Sequence, residues 1–172
     1  MNGNGQAAEA LDPHDLSVGM DQYLTFIMAD EEYGVDILRV QEIKGWDSVT
    51  PLPNTPSYVK GVINLRGTIV PIIDLRQRFG LETVPYGATT VVIMLKVKGD
   101  KGQRIVGIVV DAVSEVYNVS ADDLKPSPDI GGAADMEVVK GLATVEEKMI
   151  ILLDIDQLLN DKEINIDKAS VV

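Results

Sequence analysis

The sequence predicts a mainly β fold, built as two small β-barrels of about five strands each that pack together and carry short helices. Short apolar runs alternate with turn signals along most of the chain, which is typical of small barrels and not of a βαβ sheet. The two halves of the 172-residue chain also resemble each other, and neither half is large enough to bury a sufficient core alone. We therefore expect two related barrels with a groove between them that suits binding.

Apolar runs and their interruptions define the elements of the first half. Proline lacks an amide donor and restrains the residue before it, so Pro51, Pro53 and Pro56 exclude regular structure over residues 50–56. A short helix over residues 75–79 is expected to end at Gly80. Strands are predicted over residues 23–28, 33–37, 59–65 and 68–73, and residues 40–44 are expected to form either another strand or a short helical segment.

The second half repeats this organisation. Strands are predicted over residues 90–97, 104–110, 113–119, 138–144 and 148–153, with a hairpin loop at 98–102, one helical turn at 120–124 and a Pro/Gly-rich loop at 125–135. Asp154 is expected to open a C-terminal helix that ends at Leu159. We expect a flexible tail over 1–19, one domain over 20–162 and a frayed end over 163–172. The domain divides into halves of 20–86 and 87–160, and an exchange of strands between the barrels stays open.

The resemblance between the halves is an internal duplication with two registers. The segment Val-Lys-Gly-Val at 59–62 matches Val-Lys-Gly-Leu at 139–142, and this register of 80 positions continues without a gap to residue 157. It pairs Ile69 with Met149, Asp74 with Asp154 and Gln77 with Gln157. A second register of 73 positions pairs Gly34 with Gly107, Val40 with Val113, Glu42 with Glu115 and Ile43 with Val116.

Composition argues against several classes of function. The formal charge of −12, from 15 basic and 27 acidic residues, disfavours nucleic-acid binding. The chain has no cysteine, and its one histidine, His14, lies in the predicted tail. Most nucleophilic and acid–base mechanisms at neutral pH use those side chains, so we expect no enzyme, no metal and no cofactor. No segment resembles a signal peptide or a membrane span, so we expect a cytoplasmic protein without direct membrane insertion.

Three aspartates that follow apolar strands allow two interpretations. Asp74, Asp111 and Asp154 could act as acid and base or gather around a metal, and a hydrolase using Asp74 and Asp154 is the enzymatic alternative. Asp74 and Asp154 each precede a Gln by three residues, which is a variant of the capping box. We favour helix capping for these two residues. Both carboxylates in a single cleft would support the hydrolase instead.

An arginine and a set of apolar residues point to a surface that binds other proteins. Strand alternation places Arg66 outward beside a turn at Gly67, and we expect it to pair with Glu42. A small protein cannot bury every apolar side chain of the crowded stretch 35–43, which holds Val35, Ile37, Leu38, Val40 and Ile43. About half of them are expected in the core, and the rest would form an exposed patch suited to a partner.

Three longer motifs resemble the CheW family of chemotaxis coupling proteins. They are Asp-Glu-Glu-Tyr-Gly-Val-Asp-Ile-Leu-Arg-Val-Gln-Glu-Ile at 30–43, Gly-Val-Ile-Asn-Leu-Arg-Gly-Thr-Ile-Val-Pro-Ile-Ile-Asp-Leu-Arg at 61–76 and Val-Gly-Ile-Val-Val-Asp-Ala-Val-Ser-Glu-Val at 106–116. The resemblance covers about residues 22–159. It implies that the two barrels are SH3-like and that the chain is a non-catalytic adaptor recruited to receptor arrays at the inner face of the membrane. A CheW-like scaffold of a non-chemotactic pathway, such as pilus or surface signalling, remains an alternative.

The resemblance also implies partners and contact residues. The partners would be the regulatory domain of the histidine kinase CheA, the cytoplasmic tip of methyl-accepting chemotaxis proteins, and other copies of the family in arrays. Kinase binding is expected at Asp36, Ile37 and Leu38. Receptor binding is expected in the groove between the barrels, at Val40, Gly61, Arg66, Thr90, Gly107, Val113 and Val116, with Glu42 added through its pairing with Arg66.

Overall fold

A computed structural model describes residues 20–100, 102–126 and 137–160, so the predicted tails at 1–19 and 163–172 and most of the Pro/Gly-rich loop lie outside it. Within these described residues, the α-helices are α1 (Leu75–Arg78) and α2 (Ile155–Leu159), and 3₁₀ turns cover Ile37–Arg39 and Ala121–Asp123. The strands are β1 (Met20–Met28), β2 (Glu31–Asp36), β3 (Val40–Gly45), β4 (Val59–Leu65), β5 (Thr68–Asp74), β6 (Val91–Gly99), β7 (Gly102–Val110), β8 (Ala112–Ser120), β9 (Leu124–Lys125), β10 (Val139–Val145) and β11 (Lys148–Leu153).

The strands form two sheets, and each sheet takes strands from both halves of the sequence. The first has the order β8-β1-β2-β11-β10-β9 and the second has the order β3-β6-β7-β5-β4. Neighbours pair antiparallel except at β2–β11 and β5–β7, two parallel pairs that each join a strand of one half to a strand of the other. Gly34 lies opposite Leu152 in one pair, and Ile72 lies opposite Gly107 in the other. Gly34 corresponds to Gly107 in the register of 73 positions, and Ile72 corresponds to Leu152 in the register of 80 positions. Each half therefore gives the other half the same strand pairing that it receives.

Both sheets close into barrels at equivalent places, and a glycine makes each closure possible. The chain after β3 reaches Thr50, which pairs with Val62 of β4. A Cβ on Gly61, whose φ is +145°, would lie 2.2 Å from the Thr50 carbonyl oxygen. In the first sheet, β8 continues through a 3₁₀ turn into β9, which pairs with β10. There a Cβ on Gly141 would lie 2.8 Å from the Lys125 carbonyl oxygen. The fold confirms the predicted pair of small barrels, named the first and second barrel after their sheets.

The largest apolar cluster lies between the two barrels and is called the shared core. Burial of this continuous surface explains why neither barrel needs a large interior of its own. Smaller clusters fill each barrel, around Ile150 and Leu152 in the first and around Ile72 and Met94 in the second. Buried members of the shared core come from both sheets and both helices: Leu24, Phe26, Met28, Val35, Leu75, Ile93, Leu95, Val97, Val106, Ile108, Val110, Ile155, Leu158 and Leu159.

The helices begin as the sequence predicts. Asp74 precedes α1 and accepts a hydrogen bond from the Gln77 amide at 3.1 Å, and Asp154 precedes α2 and accepts from the Gln157 amide at 3.1 Å. These are N-cap contacts, which satisfy amide groups that have no partner within the helix. The Gln77 side chain does not complete a capping box, because the Asp74 amide donates to the Tyr58 carbonyl at 2.7 Å, and the Gln77 side-chain oxygen accepts from Lys60 Nζ at 3.3 Å. Gly80, with φ +72°, follows the end of α1 as expected.

Candidate partner-binding surfaces

Arg66 and Glu42 form the ion pair that the sequence predicts. Arg66 Nη2 donates to Glu42 Oε1, which joins the β4–β5 turn to β3 across the closed second barrel. The Arg66 side chain is 69% exposed and Glu42 is 28% exposed. The turn is fixed locally, because the Gly67 amide donates to Asn64 Oδ1 at 2.7 Å and both Arg66 and Gly67 have positive φ, at 50° and 91°. The pair thus presents a charged feature on a well-defined turn.

Exposed apolar side chains accompany this turn and recur in the other barrel. Ile43 on β3 and Ile69 on β5 are 41% and 54% exposed. Their repeat counterparts, Val116 on β8 and Met149 on β11, are 47% and 59% exposed. The duplication aligns Ile69 with Met149, but neither was predicted from the sequence as a binding residue. The sequence gives no local signal for their exposure, because each residue begins an apolar run whose burial differs only in the folded strand.

Val40 and Val113 lie at the margin of the shared core. Val40 is on β3 opposite Leu95, and Val113 is on β8 opposite Phe26. Both are half-buried and pack against the shared core. β3 and β8 are equivalent strands under the register of 73 positions, and each is the first strand in the order of its sheet. The two valines therefore occupy equivalent places in the two barrels. That these valines form the walls of an apolar binding groove stays a prediction.

Three of the expected receptor-contact positions are buried. Gly61 lies at the closure of the second barrel, against the Thr50 carbonyl. Thr90 is 8% exposed, and its hydroxyl accepts from the Gly87 amide at 2.9 Å while its carbonyl accepts from the Trp46 amide at 3.0 Å. Gly107 is packed so closely that a Cβ would meet Ile72 Cδ1 at 2.7 Å. These positions shape the second barrel from within. A substitution at any of them would therefore alter binding indirectly, by changing how the barrel packs.

The segment expected to contact the kinase forms a 3₁₀ turn with one exposed apolar side chain. Asp36 caps the turn by accepting from the Leu38 amide at 2.9 Å. Ile37 is half-buried against the shared core, whereas Leu38 is 76% exposed. The expectation of a stretch divided between core and surface is confirmed, since Val35 is buried and Leu38 and Ile43 are exposed.

An ion pair holds the end of this turn. Arg39 donates from Nη1 to Asp156 Oδ1 at 2.9 Å and from Nη2 to Asp156 Oδ2 at 2.6 Å. Hydrogen bonding from Arg39 lowers the pKa of Asp156, and the same bond raises the pKa of Arg39. Both charges therefore persist across the neutral pH range.

The carboxylates considered for catalysis all have structural partners. Asp74 caps α1 and accepts from the Tyr86 hydroxyl, whose pKa is raised by burial first and by this contact second. Asp154 caps α2, a different helix. Asp111 accepts from Arg76 Nε at 2.9 Å and Nη2 at 2.7 Å, and hydrogen bonding from Arg76 lowers the pKa of Asp111. The helix-cap interpretation is confirmed for Asp74 and Asp154.

Metal ligation and membrane spanning have no counterpart in the part of the chain that the structure describes. Within it, no group of three or more His, Asp or Glu side chains is arranged to hold a metal ion. Among the same residues, no helix has the length and apolar character needed to span a membrane.

Known proteins with similar sequences cover nearly the same part of the chain. The family model described as CheW-like domain matches residues 22–163. The "Chemotaxis protein CheW" of Klebsiella aerogenes is 49% identical over 142 residues, which are 83% of this chain and 83% of that protein. The "Chemotaxis protein CheW" of Rhizobium meliloti is 38% identical over 148 residues, 86% of this chain and 93% of that protein.

A solved structure agrees with the fold. The crystal structure of the scaffolding protein TtCheW from Thermoanaerobacter tengcongensis has a TM-score of 0.74 and 34% identity to this chain. The match covers 83% of this chain and 94% of that one. Together with the family match and the twin barrels, these similarities show that the chain belongs to the CheW-like domain family.

Proposed function

We propose that this chain is a non-catalytic chemotaxis adaptor that couples methyl-accepting chemoreceptors to the histidine kinase CheA. Membership of the CheW-like domain family, with relatives named as chemotaxis proteins at 49% and 38% identity, is the observation that carries the proposal. The same names favour chemotaxis over a pilus or surface-signalling pathway. The solved relative is described as a scaffolding protein, which agrees with an adaptor role.

The receptor is proposed to bind at the exposed and half-exposed members of the expected set. Arg66 with Glu42 offers a charged feature, and Val116 offers apolar surface. Val40 and Val113 would line the groove beside the shared core. The cytoplasmic tip of a chemoreceptor is the proposed occupant, and this would recruit the chain to receptor arrays at the inner face of the membrane.

The kinase regulatory domain is proposed to bind the 3₁₀ turn at Asp36, Ile37 and Leu38. An apolar side chain that is 76% exposed gains the most from burial in a partner, about 1.5–3 kcal/mol for a leucine. Other copies of the family are further proposed neighbours in arrays. The chain would transmit receptor state if one of its contacts has a different affinity in the two signalling states, since a ligand shifts an equilibrium only by that difference.

The proposal is tested by binding measurements with two purified fragments, the CheA regulatory domain and a receptor cytoplasmic tip. We expect each fragment to bind the chain in the absence of the other. We expect Leu38→Ala to weaken the binding of the kinase fragment and to leave the binding of the receptor fragment unchanged. Absence of binding to both fragments at concentrations up to about 1 mM, the weak end of specific association, would contradict the adaptor function.

A further inference from the structure

Leu38 is held by a turn too short to be stable by itself. The turn spans Ile37–Arg39 and has only the Asp36 cap and the bond from the Val40 amide to the Ile37 carbonyl as local contacts. Short 3₁₀ segments have poor hydrogen-bond geometry, and a single helical turn fixes several dihedral angles for one bond. The orientation of Leu38 must therefore depend on contacts from other elements.

Beside the packing of Ile37 against the shared core, the turn is held by polar contacts that reach α2, far along the sequence. Arg39 makes two hydrogen bonds to Asp156 and a third, from Nη1, to the Lys96 carbonyl at 2.8 Å. Asp156 Oδ1 also accepts from the Lys98 amide at 2.9 Å. Two parallel bonds between a guanidinium and a carboxylate fix direction as well as distance. The network thus joins the turn, β6 and α2 through one carboxylate.

The α2 helix provides a fixed support for this carboxylate. Ile155, Leu158 and Leu159 are buried in the shared core, and Asp154 caps the helix. The Arg39 and Asp156 side chains are 21% and 30% exposed, so their bonds are partly shielded from water. A side chain held on a packed helix can transmit that rigidity to the turn.

We propose that Asp156 is a positioning residue for the kinase contact. Through Arg39 it holds the 3₁₀ turn in the orientation that presents Leu38 to an apolar recess of the kinase regulatory domain. Asp156 itself need not touch the kinase. This inference rests on the proposed function, because it assigns a role to Asp156 only if the turn binds the kinase.

The duplication supplies a matched control. Arg76 is the repeat counterpart of Asp156, and it forms an equally direct two-point pair with Asp111. By the register of 73 positions, Asp111 is the repeat counterpart of Leu38. The Arg76–Asp111 pair therefore has a carboxylate at the position where the other copy has an exposed leucine. Breaking either pair removes one partly exposed ion pair, but only the Arg39–Asp156 pair adjoins Leu38.

The test compares Asp156→Ala with Arg76→Ala by affinity for the CheA regulatory domain and by hydrogen exchange of the Leu38 amide. We expect Asp156→Ala to weaken kinase binding about tenfold and to speed exchange at Leu38, as for loss of a contact that orders a binding residue. Arg76→Ala should leave both quantities within about twofold of the unaltered chain, since it removes no contact to the turn. The comparison is made under solution conditions in which unfolding curves show that both variants are folded.

A double-mutant cycle with Leu38→Ala separates positioning from a general loss of stability. If Asp156 acts through Leu38, Asp156→Ala should have little further effect on kinase affinity once Leu38 is truncated. Additive losses, or equal losses for Asp156→Ala and Arg76→Ala, would overturn the inference. Failure of the unaltered chain to bind the kinase fragment would sink the proposed function as well. Normal binding that Asp156→Ala does not change would sink the positioning role alone.

Discussion

Arg76 and Asp156 occupy the same position in the internal repeat, two residues after a helix cap, but they carry opposite charges. Arg76 pairs with Asp111 after β7, and Asp156 pairs with Arg39 after β2. In each pair, a helix of one half contacts the strand connection of the other half. With strands kept within their own half, Arg76 would face Arg39 and Asp156 would face Asp111. The charges therefore favour the exchanged topology.

This relationship predicts the effect of exchanging the two helix charges. The double substitution Arg76→Asp with Asp156→Arg places like charges at both contacts, so it should lower the free energy of unfolding by about 2–4 kcal/mol. Adding Arg39→Asp and Asp111→Arg recreates opposite charges and should restore part of the loss. Urea unfolding measures both effects. A quadruple variant no more stable than the double variant would show that charge does not select the pairing.

The same pairs should make stability depend on acid pH. The pKa values of Asp111 and Asp156 are lowered by their arginine partners, so their stabilisation is present above the unfolded pKa of about 4 and is lost as pH falls through the lowered values. Asp111→Asn should therefore cost about 1–2 kcal/mol at neutral pH and progressively less below about pH 4.

Urea unfolding from neutral pH to about pH 3 measures this dependence. Asp122→Asn is the control, because Asp122 is exposed and lies outside both ion pairs. A cost of Asp111→Asn that stays constant with pH would contradict the assignment.

Gly61 should be required for closure of the second barrel. Its φ is +145°, and a Cβ at this position would approach the Thr50 carbonyl oxygen to 2.2 Å, so Gly61→Ala should lower stability by roughly 3 kcal/mol or more. Gly67→Ala is the control, since a Cβ there meets open space and only the positive φ, +91°, costs about 1–2 kcal/mol. Thermal and urea unfolding compare the two. Equal losses would mean that the closure contact relaxes easily.

Arg66→Glu should weaken receptor binding without unfolding the protein. Glu146 occupies the equivalent turn position with the same φ of 50°, so this backbone already accepts glutamate. Loss of the exposed pair with Glu42 should change stability by about 1 kcal/mol or less, while affinity for a receptor fragment should fall about tenfold.

Glu146→Arg is the matched control for this substitution. It makes the reverse charge change on the equivalent turn of the first barrel, and it should leave receptor affinity unchanged. If Glu146→Arg changed affinity by a similar factor in the opposite direction, net charge rather than a specific contact at Arg66 would be the cause.

The local structure could be predicted because its signals are short-range. The caps at Asp74 and Asp154 and the turn at Arg66–Gly67 depend on neighbouring residues and were predicted correctly. The pair of Arg66 with Glu42 was also predicted, because strand alternation showed that Arg66 faces outward.

The exchange of strands could not be predicted from the duplication. Gly34 and Gly107 are equivalent, so a partner strand from the same half would give each of them similar local contacts. The exchange brings together residues that are distant in sequence, such as Arg39 and Asp156, which are 117 residues apart, and no local pattern indicates such a pair. Similarly, the resemblance placed Gly61, Thr90 and Gly107 among the expected receptor contacts without indicating that they are buried, since their burial depends on how the barrel closes.

Kinase activity in a reconstituted mixture tests the adaptor account most directly. CheA, receptor cytoplasmic fragments and the purified chain are combined in all pairs and then together, and CheA autophosphorylation is measured. We predict that receptor fragments change the rate only when this chain is present, and that Arg66→Glu and Leu38→Ala each reduce the change. A receptor-dependent rate that is the same with and without the chain would contradict the account.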